Sequence, residues 1–143
     1  MQTFLPYPDF NQSASVLDRQ RLGKQRVEVL QILRALTDPE YGWQHHPAVE
    51  MWRGYQQCLV DYGLAVCDEW IKRGYEDSCA DKIDLFWDWE ATEYPVPPWL
   101  GDEDFHASHR SNLYHKNPTH YGPIFGEQPV LAYVWPSNEG SNA

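Results

Sequence analysis

The spacing of apolar residues along the chain predicts a first long helix over residues 15–36. Its apolar positions recur every three or four residues, as on the buried face of a helix; they are Leu22, Val29, Leu33 and Leu36, with Leu30 at the border. Ser13 or Ser15 can cap the N-terminus of this helix. Thr37-Asp38-Pro39 should end it, because the residue before a proline is biased away from helical geometry.

Two further helices follow from the same kind of spacing. The second is predicted over residues 48–73, with a stop at Gly74, and it carries Met51, Tyr55, Leu59, Tyr62, Val66 and Trp70 near helical spacing. The third is predicted over residues 103–116 and should end before Asn117-Pro118. A short aromatic helix is expected within residues 80–90.

The connections between these helices are rich in proline, and no pattern of alternating strands occurs. We therefore expect an all-α fold, a single compact domain over residues 1–143 with three main helices, short helices and irregular connections. From Tyr121 onward the chain should form a packed irregular strap. Residues 137–143 are predicted to be a frayed C-terminal tail.

Composition narrows the class of protein. Hydrophobic residues make up 42% of the chain and aromatic residues 15%, which favours a packed aromatic core. No apolar run approaches the roughly 20 residues of a membrane helix, and residues 1–6 lack the features of a signal peptide. These observations predict a cytoplasmic protein. Cys58, Cys67 and Cys79 form no Cys-x-x-Cys pair, so reduced, packed thiols are expected.

The formal net charge is −10, which is unusual for a protein that binds a nucleic acid. The charges are unevenly distributed, however. Residues 68–104 are strongly acidic, whereas one basic cluster lies within residues 19–26 and a second, histidine-rich cluster within residues 106–120. We therefore predict one cationic cleft suited to a nucleic acid or nucleotide, bordered by Arg19, Arg21, Lys24, Arg26, His46, His109, Arg110 and Lys116.

The first helix also carries a wholly polar face, formed by Arg21, Lys24, Gln25 and Glu28 at spacing i, i+3, i+4 and i+7. One interpretation is a solvated face in which Lys24 and Glu28 form an ordinary ion pair. The other is a site in which the two cations hold phosphate and the carboxylate serves as acid, base or electrostatic stabiliser. Arg26, at the edge of the apolar stripe, should either extend to solvent or pair with a specific partner.

The histidines allow a second kind of site. His106 and His109 are spaced i, i+3, so that a metal-dependent hydrolase could use them together with His46 or His120. Ala107 follows the first histidine, where the strong zinc motif has a glutamate. We therefore expect no metal and no cofactor, and we interpret His109, Arg110 and Lys116 as donors or cations on the binding face.

Three segments together resemble the pyrimidine-dimer DNA glycosylases, the group of phage endonuclease V. Residues 17–27 read Leu-Asp-Arg-Gln-Arg-Leu-Gly-Lys-Gln-Arg-Val, like the basic first helix of that family. Residues 46–49 read His-Pro-Ala-Val and precede a long helix that ends with Cys-Asp-Glu-Trp-Ile-Lys-Arg-Gly-Tyr at 67–75. Residues 117–121 read Asn-Pro-Thr-His-Tyr.

The resemblance implies three main helices, binding of damaged or modified DNA, and extrusion of a nucleotide into a pocket. In the family an N-terminal amine attacks the sugar C1′ to form an imine, a glutamate supports that step, and strand cleavage follows by elimination. Here the amine would be that of Met1, because Gln2 is too large for routine removal of methionine. The position of the family's glutamate is predicted to hold Gly23, so Glu28 is the candidate carboxylate and Lys24 an alternative amine.

The sequence thus favours a monomeric DNA glycosylase, with or without lyase activity at abasic sites, that acts on a damaged or modified base. Its predicted catalytic residues are Met1, Glu28 and Lys24. A non-catalytic binding protein on the same scaffold is the alternative, and the metal-dependent hydrolase is a third.

Overall fold

Helices account for all the regular secondary structure in the computed structural model, which describes residues 1–136. In that range seven helices and no strand are present: α1 (Phe10–Val16), α2 (Arg19–Thr37), α3 (Pro47–Glu50), α4 (Gln56–Lys72), α5 (Ala80–Asp84), α6 (Glu103–Lys116) and α7 (Pro118–Phe125). The all-α prediction is confirmed. No helix within the described range is long and apolar enough to cross a membrane.

The predicted first helix is divided in two. Asp18 interrupts it and caps the N-terminus of α2, because its carboxylate accepts a hydrogen bond from the backbone N–H of Arg21. Asp9 caps α1 in the same way. The predicted serine caps were therefore wrong, and the hydroxyl of Ser13 instead donates to the carbonyl of Tyr7 at 2.9 Å.

The second predicted helix is also divided. The chain turns between α3 and α4 at Gly54, whose φ of +90° is a conformation that residues with a Cβ rarely adopt. Gly74, with φ of +96°, follows the end of α4 as predicted. The third helix has the predicted bounds, whereas the 80–90 helix is limited to α5.

The C-terminal part of the structure differs more from the prediction than the first three predicted helices do. α7 extends through Tyr121 to Phe125, where an irregular strap was predicted, and only residues 126–136 run irregularly along α6. The strap is attached to α6 by hydrogen bonds between the Ser111 hydroxyl and the backbone of Pro129 and Leu131. The predicted frayed tail lies outside the described residues.

The core forms where α2 packs against α4, with Trp52, Tyr62, Phe105 and Tyr121 among its largest fully buried side chains. Glycines allow the closest approaches. A Cβ atom at Gly63 of α4 would lie 2.7 Å from a methyl carbon of Val29 and 3.2 Å from Ile83. The helices therefore meet at a distance that only glycine permits at this position.

Replacing Gly63 with alanine should destabilise the protein by about 1–3 kcal/mol, because the added methyl group overpacks the contact between α2 and α4. Urea denaturation measures this change. The matched control is Gly42→Ala, since a Cβ at Gly42 has nothing within 4 Å. Equal stability of the two variants would contradict the packing described here.

Candidate active site

The N-terminal residues Gln2 to Leu5 are buried, although they belong to no helix or sheet. Side chains of α2 therefore satisfy their backbone polar groups. The N–H of Gln2 donates to Oε2 of Glu28 at 2.9 Å, and the N–H of Phe4 donates to Oε1 of Gln25 at 2.7 Å. Nε2 of Gln25 donates in turn to the carbonyl of Gln2 at 2.7 Å.

Two histidines of α6 bind the next part of this segment. Nδ1 of His109 accepts from the N–H of Leu5 at 3.0 Å. Nε2 of His106 accepts from the N–H of Gly101, which leaves its Nδ1 to donate to the carbonyl of Leu5 at 2.7 Å. Burial lowers the pKa of both histidines, that of His109 to about 3, so both rings are neutral at physiological pH.

Beside the anchored N-terminus is a cavity of about 550 Å³. Its lining combines the half-buried Met1, polar residues of α2, one lysine of α6 and two aromatic residues of the strap. The lining residues are Met1, Gln2, Phe4, Gln20, Arg21, Lys24, Gln25, Glu28, Lys116, Tyr133 and Trp135. Two residues of the basic cluster at 19–26, Arg21 and Lys24, thus meet one residue of the histidine-rich cluster, Lys116.

Glu28 is the carboxylate of this cavity, with a side chain that is only 10% exposed. One of its oxygens holds the N–H of Gln2, and the other lies 3.5 Å from Nζ of Lys24. Gly23 occupies the position at which the resemblance predicted the family's glutamate, and it does not line the cavity. A Cβ atom there would lie 2.9 Å from the Trp70 ring, so the carboxylate beside the N-terminus is that of Glu28.

Three cations line the same cavity, namely Arg21, Lys24 and Lys116. Nζ of Lys116 donates to the Tyr133 hydroxyl at 2.9 Å and lies 5.2 Å from the centre of the Phe4 ring. Burial lowers the pKa of Lys116, and the charges of Arg21 and Lys24 lower it further, while Glu28 opposes the shift. The cavity therefore combines positive potential with one carboxylate and the first residue of the chain.

A comparison with protein families gave a match over the N-terminal part of the chain. The family model described as pyrimidine dimer DNA glycosylase matches residues 1–83, which is more than half of the chain and includes α2, Glu28 and the buried N-terminal segment. The chain belongs to this family. No curated protein and no solved structure gave a significant match.

Not every predicted binding residue of this glycosylase-family protein reaches the cavity. Arg26 pairs with Asp77 at 2.5 Å and lies 4.4 Å from the centre of the Trp70 ring. His109 is buried behind Leu5, and Arg110 binds the carbonyl of Pro6 and the carboxylate of Glu103. The prediction that all eight residues border one cleft is therefore wrong, and these three are among the five that do not line the cavity.

The two remaining predicted residues lie outside the lining as well. Arg19 is exposed in the first turn of α2. His46 caps α3 through Nδ1 and makes an edge contact with Trp135, with ring centres 6.1 Å apart. Burial lowers the pKa of His46 and the positive N-terminus lowers it further, while Glu28 opposes the shift.

The histidines of the third alternative, a metal-dependent hydrolase, do not form a metal site in the described part of the chain. His106 and His109 bind the backbone of Leu5, and Nε2 of His120 lies 2.8 Å from the carbonyl of Val16. Within residues 1–136, no three His, Cys, Asp or Glu side chains are grouped as metal ligands. The histidines of α6 position the N-terminal segment instead.

Tyr133 and Trp135 of the cavity wall were not predicted as site residues. They lie on the irregular strap, whose path over α6 is set by single hydrogen bonds such as that between the Ser108 hydroxyl and the N–H of Val134. Sequence periodicity carries no signal for such contacts. The only available hint was the presence of two aromatic residues in a segment otherwise rich in proline and glycine.

The neutral histidines predict a dependence of stability on pH. Unfolded histidine takes up a proton near pH 6.5, whereas folded His109 does so only near pH 3, so the free energy of unfolding should fall as the pH drops from 6.5 towards 4. His109→Asn keeps an acceptor for the N–H of Leu5 without this titration. In this variant the free energy of unfolding should decrease less steeply with falling pH, by about 1.4 kcal/mol per pH unit.

Urea denaturation at a series of pH values measures these slopes. His45→Asn is the control, because His45 is exposed and its replacement should leave the slope unchanged. An identical slope in wild type and His109→Asn would contradict the burial of a neutral imidazole at this position.

Proposed function

We propose that this protein is a DNA glycosylase that removes a damaged or modified base through an imine formed by the α-amine of Met1, and that it also cleaves the strand as a lyase. The observation that carries the proposal is the position of Glu28. Its buried carboxylate holds the N–H of Gln2, one residue from the terminal amine, inside a cavity lined by three cations. Membership of the glycosylase family supports the same activity.

The terminal amine is a better nucleophile here than the alternative, Lys24. Chain-terminal amines in general have lower intrinsic pKa values than lysine side chains, about 8 against about 10.4, so more of the reactive, unprotonated form exists at neutral pH. The side chain of Lys24 is 76% exposed, and its Nζ lies 3.5 Å from Oε1 of Glu28 in an ion pair. Arg26, two residues further along α2, pairs with Asp77 and does not reach Lys24.

In the proposed reaction the nitrogen of Met1 forms a bond to C1′ as the bond from C1′ to the base breaks and its electron pair leaves with the base. The new C1′ ammonium then loses a proton to Glu28, and Glu28 returns a proton to the ring oxygen as the sugar opens to the imine. Loss of a proton from C2′ expels the 3′ phosphate and cleaves the strand. Water finally hydrolyses the imine and frees the amine.

The cations would hold the phosphates that flank the extruded nucleotide. Arg21 and Lys24 project from α2 and Lys116 from α6, so that positive charge approaches the cavity from two sides. An acidic protein needs such a concentration of charge, because the rest of its surface repels DNA. The monomeric state and the cytoplasmic location stay predictions from the sequence.

Borohydride reduction should trap the protein covalently on a duplex oligonucleotide that contains one abasic site, and peptide mass spectrometry should locate the adduct on Met1. In Glu28→Gln the trapping rate should fall by about 100-fold or more, the usual scale of acid–base contributions. The amide oxygen of the new glutamine can still accept from the N–H of Gln2, so the N-terminal segment should stay in place.

Glu40→Gln serves as the control, since Glu40 is exposed in the loop after α2 and should be replaceable without effect on trapping. Full trapping by Glu28→Gln would contradict the proposed role of the carboxylate. Binding to DNA with no trapping by the wild-type protein would favour the non-catalytic binding protein.

The dependence of binding on salt tests the role of the cations. If Lys24 contacts one phosphate, Lys24→Gln should reduce the slope of log binding constant against log salt concentration by about 0.9. Fluorescence anisotropy with a labelled abasic duplex measures this slope. Arg34→Gln, at the far end of α2, should leave the slope unchanged; equal effects of both variants would contradict phosphate binding at the cavity.

A further inference from the structure

The side chain of Gln2 contains a buried hydrogen-bond donor without a partner. The residue is only 7% exposed. Its Oε1 accepts from the N–H of Thr3 at 2.8 Å, which fixes the orientation of the amide, because a nitrogen in that position could not accept. Its Nε2 then has no hydrogen-bond partner among residues 1–136. Such a group is unfavourable in a folded protein, and an acceptor on a ligand would offset the loss.

This donor lies beside the proposed reaction centre. Gln2 lines the cavity, and its own backbone N–H is held by Glu28 at 2.9 Å. The terminal amine belongs to Met1 and the side-chain amide to Gln2, the next residue. The carboxylate is that of Glu28, which binds the backbone of Gln2. A sugar placed with C1′ at the amine would lie next to Gln2 in sequence and in the cavity lining, because Met1 and Gln2 both line the cavity.

We propose that Nε2 of Gln2 donates a hydrogen bond to O2 of a pyrimidine base bound in this cavity, and that this bond stabilises the base as it leaves. The inference rests on the proposed glycosylase function and adds a base-contacting residue to it. In a pyrimidine nucleotide O2 is attached to C2, the neighbour of the nitrogen that is bonded to C1′. It is thus the base acceptor closest to the bond that breaks.

The chemistry makes the hydrogen bond stronger during the reaction. As the bond between C1′ and N1 breaks, its electron pair moves to N1 and is delocalised onto O2. A donor already directed at O2 stabilises this charge, as donors do for other oxyanions that develop in a reaction. The base then takes a proton from water at N1. Once the base has left, Gln2 has no further part, so that reaction at a preformed abasic site should not depend on it.

The test compares two duplexes of one sequence, one with a single cyclobutane thymine dimer and one with an abasic site at the same position. Gln2→Met removes the donor and keeps the length of the side chain. It also keeps a large residue at position 2, so that Met1 is retained. Gln12→Met is the matched control, because Gln12 is exposed on α1.

With the dimer duplex, Gln2→Met should lower the rate of cleavage between base and sugar by about 10- to 100-fold. With the abasic duplex, its borohydride trapping should stay within about twofold of wild type, and Gln12→Met should match wild type on both. Equal losses of Gln2→Met on the two duplexes would show that Gln2 only positions the N-terminus. No loss on the dimer duplex would also overturn the proposal.

A binding measurement keeps this inference separate from the proposed function. The side-chain amide of Gln2 can be assigned in a ¹⁵N NMR spectrum by its disappearance in Gln2→Met. Thymidine 5′-monophosphate should shift this signal, whereas 1,2-dideoxyribose 5-phosphate, which lacks both a base and the C1 aldehyde that would form an imine with Met1, should not. Absence of trapping by wild type would contradict the glycosylase function, and equal shifts with the two compounds, or none, would contradict the contact between Gln2 and the base.

Discussion

Burial of the extended N-terminal segment is the constraint on which the rest of the structure depends. Residues 2–5 lie in the core without a neighbouring strand, so their backbone N–H and C=O groups must be satisfied by side chains from distant parts of the chain. Three helices supply these side chains, which are Gln25 and Glu28 of α2, Tyr62 of α4, and His106 and His109 of α6. Each bond fixes one helix relative to the N-terminus, and together they explain why so many polar residues are buried on faces that pack.

The same bonds create the candidate site. Glu28 and Gln25 bind the backbone of Gln2 and so place Met1 in the wall of the cavity. The histidines of α6 bind the backbone of Leu5, which brings Lys116 of the same helix to the cavity. The acidity of the protein is compatible with this arrangement. Only a few of its basic residues are directed at the cavity, while others stabilise the fold, as Arg26 does beside Asp77 and Trp70.

Features with a repeating spacing were predictable from the sequence, and those that depend on single polar contacts were not. The bounds of α6 and the stop at Gly74 follow from the apolar spacing and from glycine conformation. The break at Asp18 was missed, because its carboxylate caps α2 while it accepts from the hydroxyl of Tyr121, 103 residues away. The site shows the same contrast. Glu28 was predicted from its place on the polar face beside Lys24. The burial of His109 was not predicted, because it depends on the path of Leu5, which no local pattern encodes.

The central claim is that the fold presents the α-amine of Met1 as the reactive group, and blocking that amine tests it most directly. Protein with an Nα-acetylated Met1 should keep its helical content and its affinity for an abasic duplex, because the bonds to Gln2, Phe4 and Leu5 do not involve the amine. Its borohydride trapping on that duplex should fall to background. Undiminished trapping by the acetylated protein would show that a lysine is the nucleophile and would contradict the claim.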